Sequence, residues 1–291
     1  MDEFTRDWII EKGLPIVESY DGNLTIRTLY YRLVAAGMTN SQNHYKRVVA
    51  AMKKARWDGR VEFDAFQDHE REVLGETEYE ETSVERRLDT ASWAIKHYLT
   101  TYHKNRWENQ PIYPEVFIEK KALQGMFEGP CNKWSVALSP CKGYPSLTFL
   151  YAASERFKEV ITEGKKPIIL YFGDYDPSGE DIPRSIKDNL YEMGADIEVK
   201  RIALMKQQVI DWKLPPAPVK KTDSRAANWD GLGQVELDAV EPNQLKDLIN
   251  LAIEACFNFE LHDDLMEMQK TERAEYKTEI RTRIDDILDD E

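Results

Sequence analysis

The sequence predicts an α/β fold: a parallel sheet covered on both faces, preceded by a small basic helical domain. Three observations predict it. After residue 111, strand-like apolar runs alternate four times with helix-period segments, the pattern of parallel strands joined by crossover helices. Two of those runs end in carboxylates, at Glu119 and at Asp174-Tyr175-Asp176. Positive charge is concentrated between Arg27 and Arg60, in a chain whose formal charge is −14.

A chain of 291 residues suits two modest domains at ~100–200 residues each. The expected organisation is a DNA-binding domain over 1–75, a helical linker over 76–110, and a sheet domain with a C-terminal helical extension over 111–291. At 42% hydrophobic residues both domains can bury a core, yet no apolar stretch approaches the ~20 residues that span a bilayer. Residues 1–7 lack the basic start and apolar core of a signal peptide. Cys131, Cys141 and Cys256 are odd in number with no CxxC spacing, so neither a disulfide framework nor a zinc site is indicated. These features point to a cytoplasmic protein with no membrane partner. No Gly-x-x-x-x-Gly-Lys-Ser/Thr loop is present, so any ATP-driven step would belong to a separate subunit.

The basic segment has readable architecture. Thr25 caps a helix that stops at Gly37, a second helix spans 42–57, and Asp58-Gly59 turns into a short strand over 60–63. Helix, turn, basic helix and Gly-led strand read as a winged helix-turn-helix. The charges are Arg27, Arg32, Lys46, Arg47, Lys53, Lys54, Arg56 and Arg60, opposed only by Asp58. That is the footprint of a face for double-stranded DNA, with Lys46, Arg47, Lys53 or Lys54 toward phosphates and Arg56 and Arg60 nearby. Such contacts position a duplex without reading its sequence. A solvated helix face is the alternative. Acid is concentrated elsewhere, in 76–81 and 285–291. At ~100° per residue, Ile26, Leu29, Tyr30, Leu33 and Val34 form the core stripe of the first helix. Tyr31 falls off that stripe, close to Arg27 and Ala35. A guanidinium there favours a phenolate and can bind a phosphate; an amphipathic surface tyrosine is the plainer reading.

In the sheet domain, the run Val116 to Ile118 ends at Glu119. A helix over 121–127, a strand over 134–138, a loop over 139–145 and a helix from Pro145 to about 161 follow, with Pro145 suited to the first helical position. The strand ending Ile168-Ile169-Leu170 then leads to Tyr171-Phe172-Gly173-Asp174-Tyr175-Asp176-Pro177-Ser178-Gly179, a helix over 178–193 and a strand over 197–202. Asp174 and Asp176, one residue apart on extended backbone, point the same way at the carboxyl edge of the sheet. Two such acids repel unless a hard cation such as Mg²⁺ takes their oxygens. Glu119 falls at the same edge as a third ligand; a solvated acidic turn is the alternative. Beyond the sheet, 219–233 reads as a polar loop with Lys221, Asp223 and Arg225. Residues 235–239 alternate like a strand, with Glu236 and Asp238 as possible further ligands. Pro242 opens a helix to Cys256, and a charged helix for dimer contact or solvation starts at His262. The five histidines show no metal-ligand spacing.

Glu119 after a first strand, Lys142-Gly143-Tyr144-Pro145 after a second, and Asp174-Tyr175-Asp176-Pro177-Ser178-Gly179 after a third resemble a Toprim domain. The Gly-Tyr-Pro and Asp-Pro-x-Gly details look most like the A subunit of topoisomerase VI and the related meiotic double-strand-break transesterase, over roughly residues 111 to 205. Those proteins join a winged helix to a Toprim domain in this order. Their nucleophilic tyrosine ends an Arg-x-aliphatic-aromatic-Tyr motif, here Arg27-Thr28-Leu29-Tyr30-Tyr31. Thr28 stands where the family has an acid, and the short chain looks more like compact relatives on bacterial, archaeal and viral mobile elements. The resemblance implies catalytic Tyr31, Arg27 and Glu119, and Mg²⁺ on Glu119, Asp174 and Asp176. It implies DNA contacts that include Lys142, a homodimer with nucleophile and metal drawn from opposite subunits, and a possible separate ATPase subunit. A hydrolytic Toprim nuclease of the plasmid-defence type, with no covalent intermediate, and a non-catalytic DNA-binding protein remain open.

Overall fold

The computed structural model describes residues 3–20, 24–66, 83–219, 229 and 232–289, the side chains of 99–100 and 285–289 excepted. Four strands, β1 (Ile112–Ile118), β2 (Ala137–Pro140), β3 (Lys166–Phe172) and β4 (Glu198–Ala203), form a parallel sheet in the order β2-β1-β3-β4. The chain thus leaves β1 for one edge and returns to β3 on its other side. The strand order reverses between β1 and β3, where open α/β sheets leave a crevice at their carboxyl ends. Glu119 and Asp174 are the residues that emerge there.

The central strands are near-continuous apolar runs because both faces are covered. On one face, Leu150 and Phe157 of α6 (Leu147–Thr162) and Ile182 and Ile186 of α7 (Pro177–Glu192) pack against Phe117, Ile169 and Tyr171. On the other, Phe127 of α5 (Gln124–Trp134) meets Phe172 edge-on at 5.0 Å. The Trp134 indole donates to Asn250 Oδ1 of α9 (Pro242–Glu254) at 3.0 Å. Glu115 is wholly buried in β1 and is satisfied by Arg156, at 3.0 and 3.2 Å, and by the Tyr113 hydroxyl at 3.1 Å.

Three helices precede the sheet: α1 (Arg6–Glu18), α2 (Ile26–Ala35) and α3 (Gln42–Trp57). Ile9, Ile10, Leu29, Leu33, Val48 and Met52 are buried among them. Thr25 caps α2 as expected, its Oγ1 accepting from Thr28 N at 3.0 Å. Gly37, at φ +110°, ends the turn with Met38 N donating to Leu33 O at 2.9 Å.

Two compact units divide the chain, Met1–Arg71 with Ile112–Cys256, and Glu72–Pro111 with Phe257–Glu291. In the second, α4 (Val84–Thr100) accompanies α10 (Phe259–Asp289), and the segment after α4 is tied to α10. There Tyr102 donates to Glu272 at 2.5 Å, Lys104 pairs with Glu272 at 3.0 Å, and Arg273 donates to Tyr102 O at 2.9 Å. Among the described residues, no helix is long and apolar enough to cross a membrane.

Several elements depart from the sequence reading. Trp134 closes α5 instead of opening a strand, because the helical spacing of Leu123, Phe127, Cys131 and Trp134 continues through Pro130. Ser135 then turns at φ +56° and β2 begins at Ala137. Pro145 precedes the cap of α6 rather than opening the helix, since Ser146 Oγ takes the cap bond from Phe149 N at 3.2 Å. No strand forms at 60–63; a 3₁₀ turn, Phe63–Ala65, takes its place, with Phe63 edge-on to Trp57 at 5.1 Å and Phe66 bridged to Leu24. The acidic run 76–81 and the loop residues Lys221, Asp223 and Arg225 lie outside the described residues.

Phe157, fully buried between α6 and the sheet, should cost about 3–5 kcal/mol when truncated to alanine. Urea unfolding followed by circular dichroism checks this; a loss below ~1 kcal/mol would contradict the packing.

Candidate active site

The carboxyl edge of the sheet is closed by backbone. Glu119 N continues the ladder to Phe172 O at 2.9 Å. Its carboxylate turns back to accept from Asp174 N at 2.9 Å and from the Tyr171 hydroxyl at 3.3 Å. This approach requires a glycine at 173, because a Cβ there would lie 2.7 Å from Glu119 Oε2. Asp174 accepts from Leu237 N at 2.8 Å through Oδ1 and pairs with Lys120 at 2.9 Å through Oδ2. Tyr175 and Val235 exchange two backbone bonds of 2.8 Å, which lays 235–239 across the acidic loop. Arg201 of β4 clamps the loop by donating to Asp174 O at 2.6 Å and Leu204 O at 2.8 Å.

Asp176 has a different role from the one its spacing suggests. Its Oδ1 accepts from Gly179 N at 2.6 Å and caps α7, with Pro177 in the first helical position. Gly179 packs so tightly on the Asp174 carbonyl that a Cβ would collide with it. The Asp174 and Asp176 carboxylates therefore have separate partners.

At the centre is Lys120. Its ammonium lies 2.9 Å from Asp174, 2.9 Å from Glu236 and 3.0 Å from Asp238. Glu236 in turn receives Arg27, with Nε at 2.8 Å and Nη2 at 3.3 Å. The 3₁₀ turn Leu237–Ala239 packs on α2, where Arg32 donates to Ala239 O. This turn covers the face of α2 that the helical wheel leaves outside the core. Tyr31 is only 6% exposed, so the expectation of a tyrosine away from packed surfaces is corrected. Tyr30 is not merely apolar packing either: its hydroxyl donates toward Asn40 Oδ1 and Ser41 O, at 2.9 and 3.0 Å, and accepts from Ser41 N at 2.6 Å.

The cluster carries surplus negative charge: Glu119, Asp174, Glu236 and Asp238 face Lys120 and Arg27. Burial pushes Asp174 up to about 7; Lys120 opposes the shift, while Glu119 and Asp238 add to it. Burial also raises Glu119. Burial works against the charge on Lys120, yet Asp238, Asp174 and Glu236 hold its pKa well above the usual value. The Tyr31 hydroxyl is pushed up by burial and then by Glu236, and Lys120 and Arg27 offset only part of this. Arg27 does favour the phenolate, but burial and Glu236 outweigh it.

Among the described residues, no three His, Cys, Asp or Glu side chains are grouped to hold a metal ion. The chemistry of the donors nevertheless fits a hard cation: all are carboxylates, Asp174 is raised by burial and then by Glu119 and Asp238, and Asp238 Oδ1 is buried without a partner. Glu236 and Asp238 reach this cluster, but from the 3₁₀ turn Leu237–Ala239 and its cap position, not from the strand expected over 235–239. Lys120, Arg201 and the capping role of Asp176 were missed; the only signal for Lys120 is its place next to Glu119.

The basic residues separate into groups. Lys46 and Lys53 share one exposed face of α3 with Val49, Ala50 and Trp57. Lys54 pairs with Asp58, Arg56 stacks 5.4 Å from the Phe66 ring centre, and Arg47 is half-buried. Arg60 is exposed beyond the helix, and Lys142 is exposed in the loop whose Gly143 N donates to Glu119 O at 3.0 Å. A cavity of about 310 Å³ opens beside Arg27 and Tyr31.

Asp174 titrates in the folded chain near 7 against about 3.9 unfolded. Its contribution is fully present below the unfolded value and is lost as pH rises through 7. In chelator, the wild type should therefore lose stability relative to Asp174→Asn between about pH 4 and about pH 7.5. Parallel urea-unfolding profiles for the two proteins would refute this. No protein-family model, curated protein or solved structure shows a significant match to the chain.

Proposed function

We propose that the chain is a topoisomerase VI A-like, DNA-cleaving transesterase, in which a winged-helix segment supplies Tyr31 and a Toprim sheet supplies the acids. The observation that carries this reading is the series of ion pairs Arg27–Glu236–Lys120–Asp174, which ties the helix bearing Tyr31 to the carboxylates at the strand-order reversal. Thr28, where the resembled family has an acid, is fully buried and its hydroxyl meets Thr25 Oγ1 at 3.0 Å. This position therefore supports the helix start.

In this reading, the Tyr31 oxygen attacks a DNA phosphodiester. A phosphorus–tyrosyl oxygen bond forms, a phosphorus–deoxyribose oxygen bond breaks, and the DNA leaves with a hydroxyl. Bond energy is conserved in the phosphotyrosyl link, so resealing needs no nucleotide. The phenolic proton must be taken by a neighbour because burial holds it on Tyr31. Glu236 is the carboxylate whose charge acts most strongly there. Glu119 and Asp174, with Glu236 and Asp238 beside them, would hold Mg²⁺, which would supply charge neutralisation for the phosphoryl group, while Asp176 stays the cap of α7. Lys46 and Lys53, on the exposed face of α3, would bind phosphates. One chain carries both nucleophile and acids, and two copies would cut both strands.

The burial of Tyr31 favours a second reading, hydrolytic cleavage by a Toprim nuclease in which Tyr31 packs or contacts a phosphate. A denaturing gel after incubation with DNA and Mg²⁺ separates the two. Under the first reading, wild type should give a protein-linked strand end and Tyr31→Phe should give neither adduct nor cut. Robust cutting by Tyr31→Phe, with free ends, would reject the nucleophile and leave the hydrolytic reading. Asp174→Asn should abolish cleavage under both.

Duplex affinity should fall steeply with salt, since phosphate contacts release counterions. Lys46→Glu with Lys53→Glu should weaken binding to all sequences alike and lower the salt slope by about 1 for each phosphate left without its lysine. Lys54→Glu should do less, because Lys54 is already paired with Asp58. Salt-independent binding in an anisotropy titration would remove α3 from the DNA interface.

A further inference from the structure

Tyr31 is almost entirely covered, yet it lines the cavity of about 310 Å³. That volume is at the lower end of ligand pockets, ~300–1,000 Å³. It has room for about one nucleoside and none for a stretch of duplex, whose major groove alone is ~12 Å wide. An intact duplex cannot bring its backbone and both bases into such a space.

The lining indicates what can enter. Tyr45 contributes an aromatic ring with the Arg27 guanidinium over it, 5.5 Å from its centre, and Tyr30 edge-on to it at 5.5 Å. Asn40, Gln42 and Gln234 contribute amides, and Pro215 a further apolar surface. Arg27, the cation on this wall, is bound to Glu236 at 2.8 Å, so the cavity is poorly suited to a free anion. An aromatic face with amide donors and acceptors matches a neutral planar ring with a hydrogen-bonding edge. Ser41, Gln42 and Tyr45 come from the first turn of α3 and its cap. Lys46 and Lys53 follow on the exposed face of the same helix. A strand held by its phosphates along α3 would therefore have the cavity at the helix start.

We propose that this cavity takes one unpaired nucleobase, and that the substrate is DNA with a nucleotide unstacked beside the scissile phosphate, not a perfectly paired duplex. The inference rests on the reading of the chain as DNA-binding and names the substrate class for the Tyr31 site. Unstacking costs least where a base is mismatched or already single-stranded. Stacking on an aromatic side chain, with a cationic track for the backbone, is the usual basis of single-strand binding.

The test is an anisotropy titration of the full chain, in chelator, with three otherwise identical duplexes: fully paired, with one bulged thymidine, and with one bulged abasic site. The base-containing bulge should bind about tenfold more tightly than the other two, the scale of one stacked base. Tyr45→Leu should erase that preference while leaving affinity for the paired duplex. Gln42→Ala, on the surface of α3, should reduce it several-fold without risk to the fold. Equal affinity for all three duplexes would overturn the cavity assignment and leave the DNA-binding reading intact. An equal gain for the abasic bulge would also overturn it, since flexibility alone would then explain the preference. Binding to none of the three would overturn both.

Discussion

The ammonium of Lys120, held among Asp174, Glu236 and Asp238, is the interaction on which the rest of the site depends. Three carboxylates cannot crowd at a sheet edge without a compensating charge, and burial makes the uncompensated state worse. Lys120 supplies that charge from the residue following Glu119, so the strand that delivers one acid also delivers the counterion for three others. It bridges segments far apart in sequence: the end of β1, the loop after β3 and the 235–239 segment. Remove it, and the ion pairs between 235–239 and the acidic loop are lost, leaving the Tyr175–Val235 backbone pair and the Leu237 N bond to Asp174 Oδ1.

That bridge extends to the N-terminal helices. Glu236 is shared between Lys120 and Arg27, so the position of α2 is electrostatically tied to the acids. The same docking buries Tyr31 and raises its hydroxyl. Docking therefore works against ionisation: the surroundings that place the tyrosine near the acids also make its proton harder to remove. A surplus of buried negative charge, with Asp238 Oδ1 unpartnered, is the kind of local instability that structures keep at functional sites.

Backbone proximity sets the remaining geometry. Glu119 reaches the amide of Asp174 only because residue 173 has no side chain, and the turn into α7 passes the Asp174 carbonyl only because residue 179 has none. Arg201 completes the enclosure by taking carbonyl oxygens on both sides of the loop. These hydrogen bonds make the loop stiff enough for its carboxylates to keep separate partners.

The alternation of strands and helices, the edge at which Glu119 and Asp174 emerge, the cap at Thr25 and the limits of α3 are all legible along the chain. Each depends on local periodicity, capping chemistry or apolar runs, which a chain displays over its own length. Helical spacing through Trp134 is legible too, but a short apolar run is ambiguous between helix and strand. Which charges meet is not legible in this way. Lys120 with Glu236 and Asp238, Arg27 with Glu236, Arg156 with buried Glu115, and Arg201 with the acidic loop all join residues between 27 and 209 positions apart. Only folding buries Tyr31 and brings the Leu237–Ala239 turn onto α2, and a helical wheel contains no information about a distant segment. Folding also makes Asp176 a helix cap while Asp174 binds a lysine, since two acids alike in type and spacing differ only in the partners brought to them.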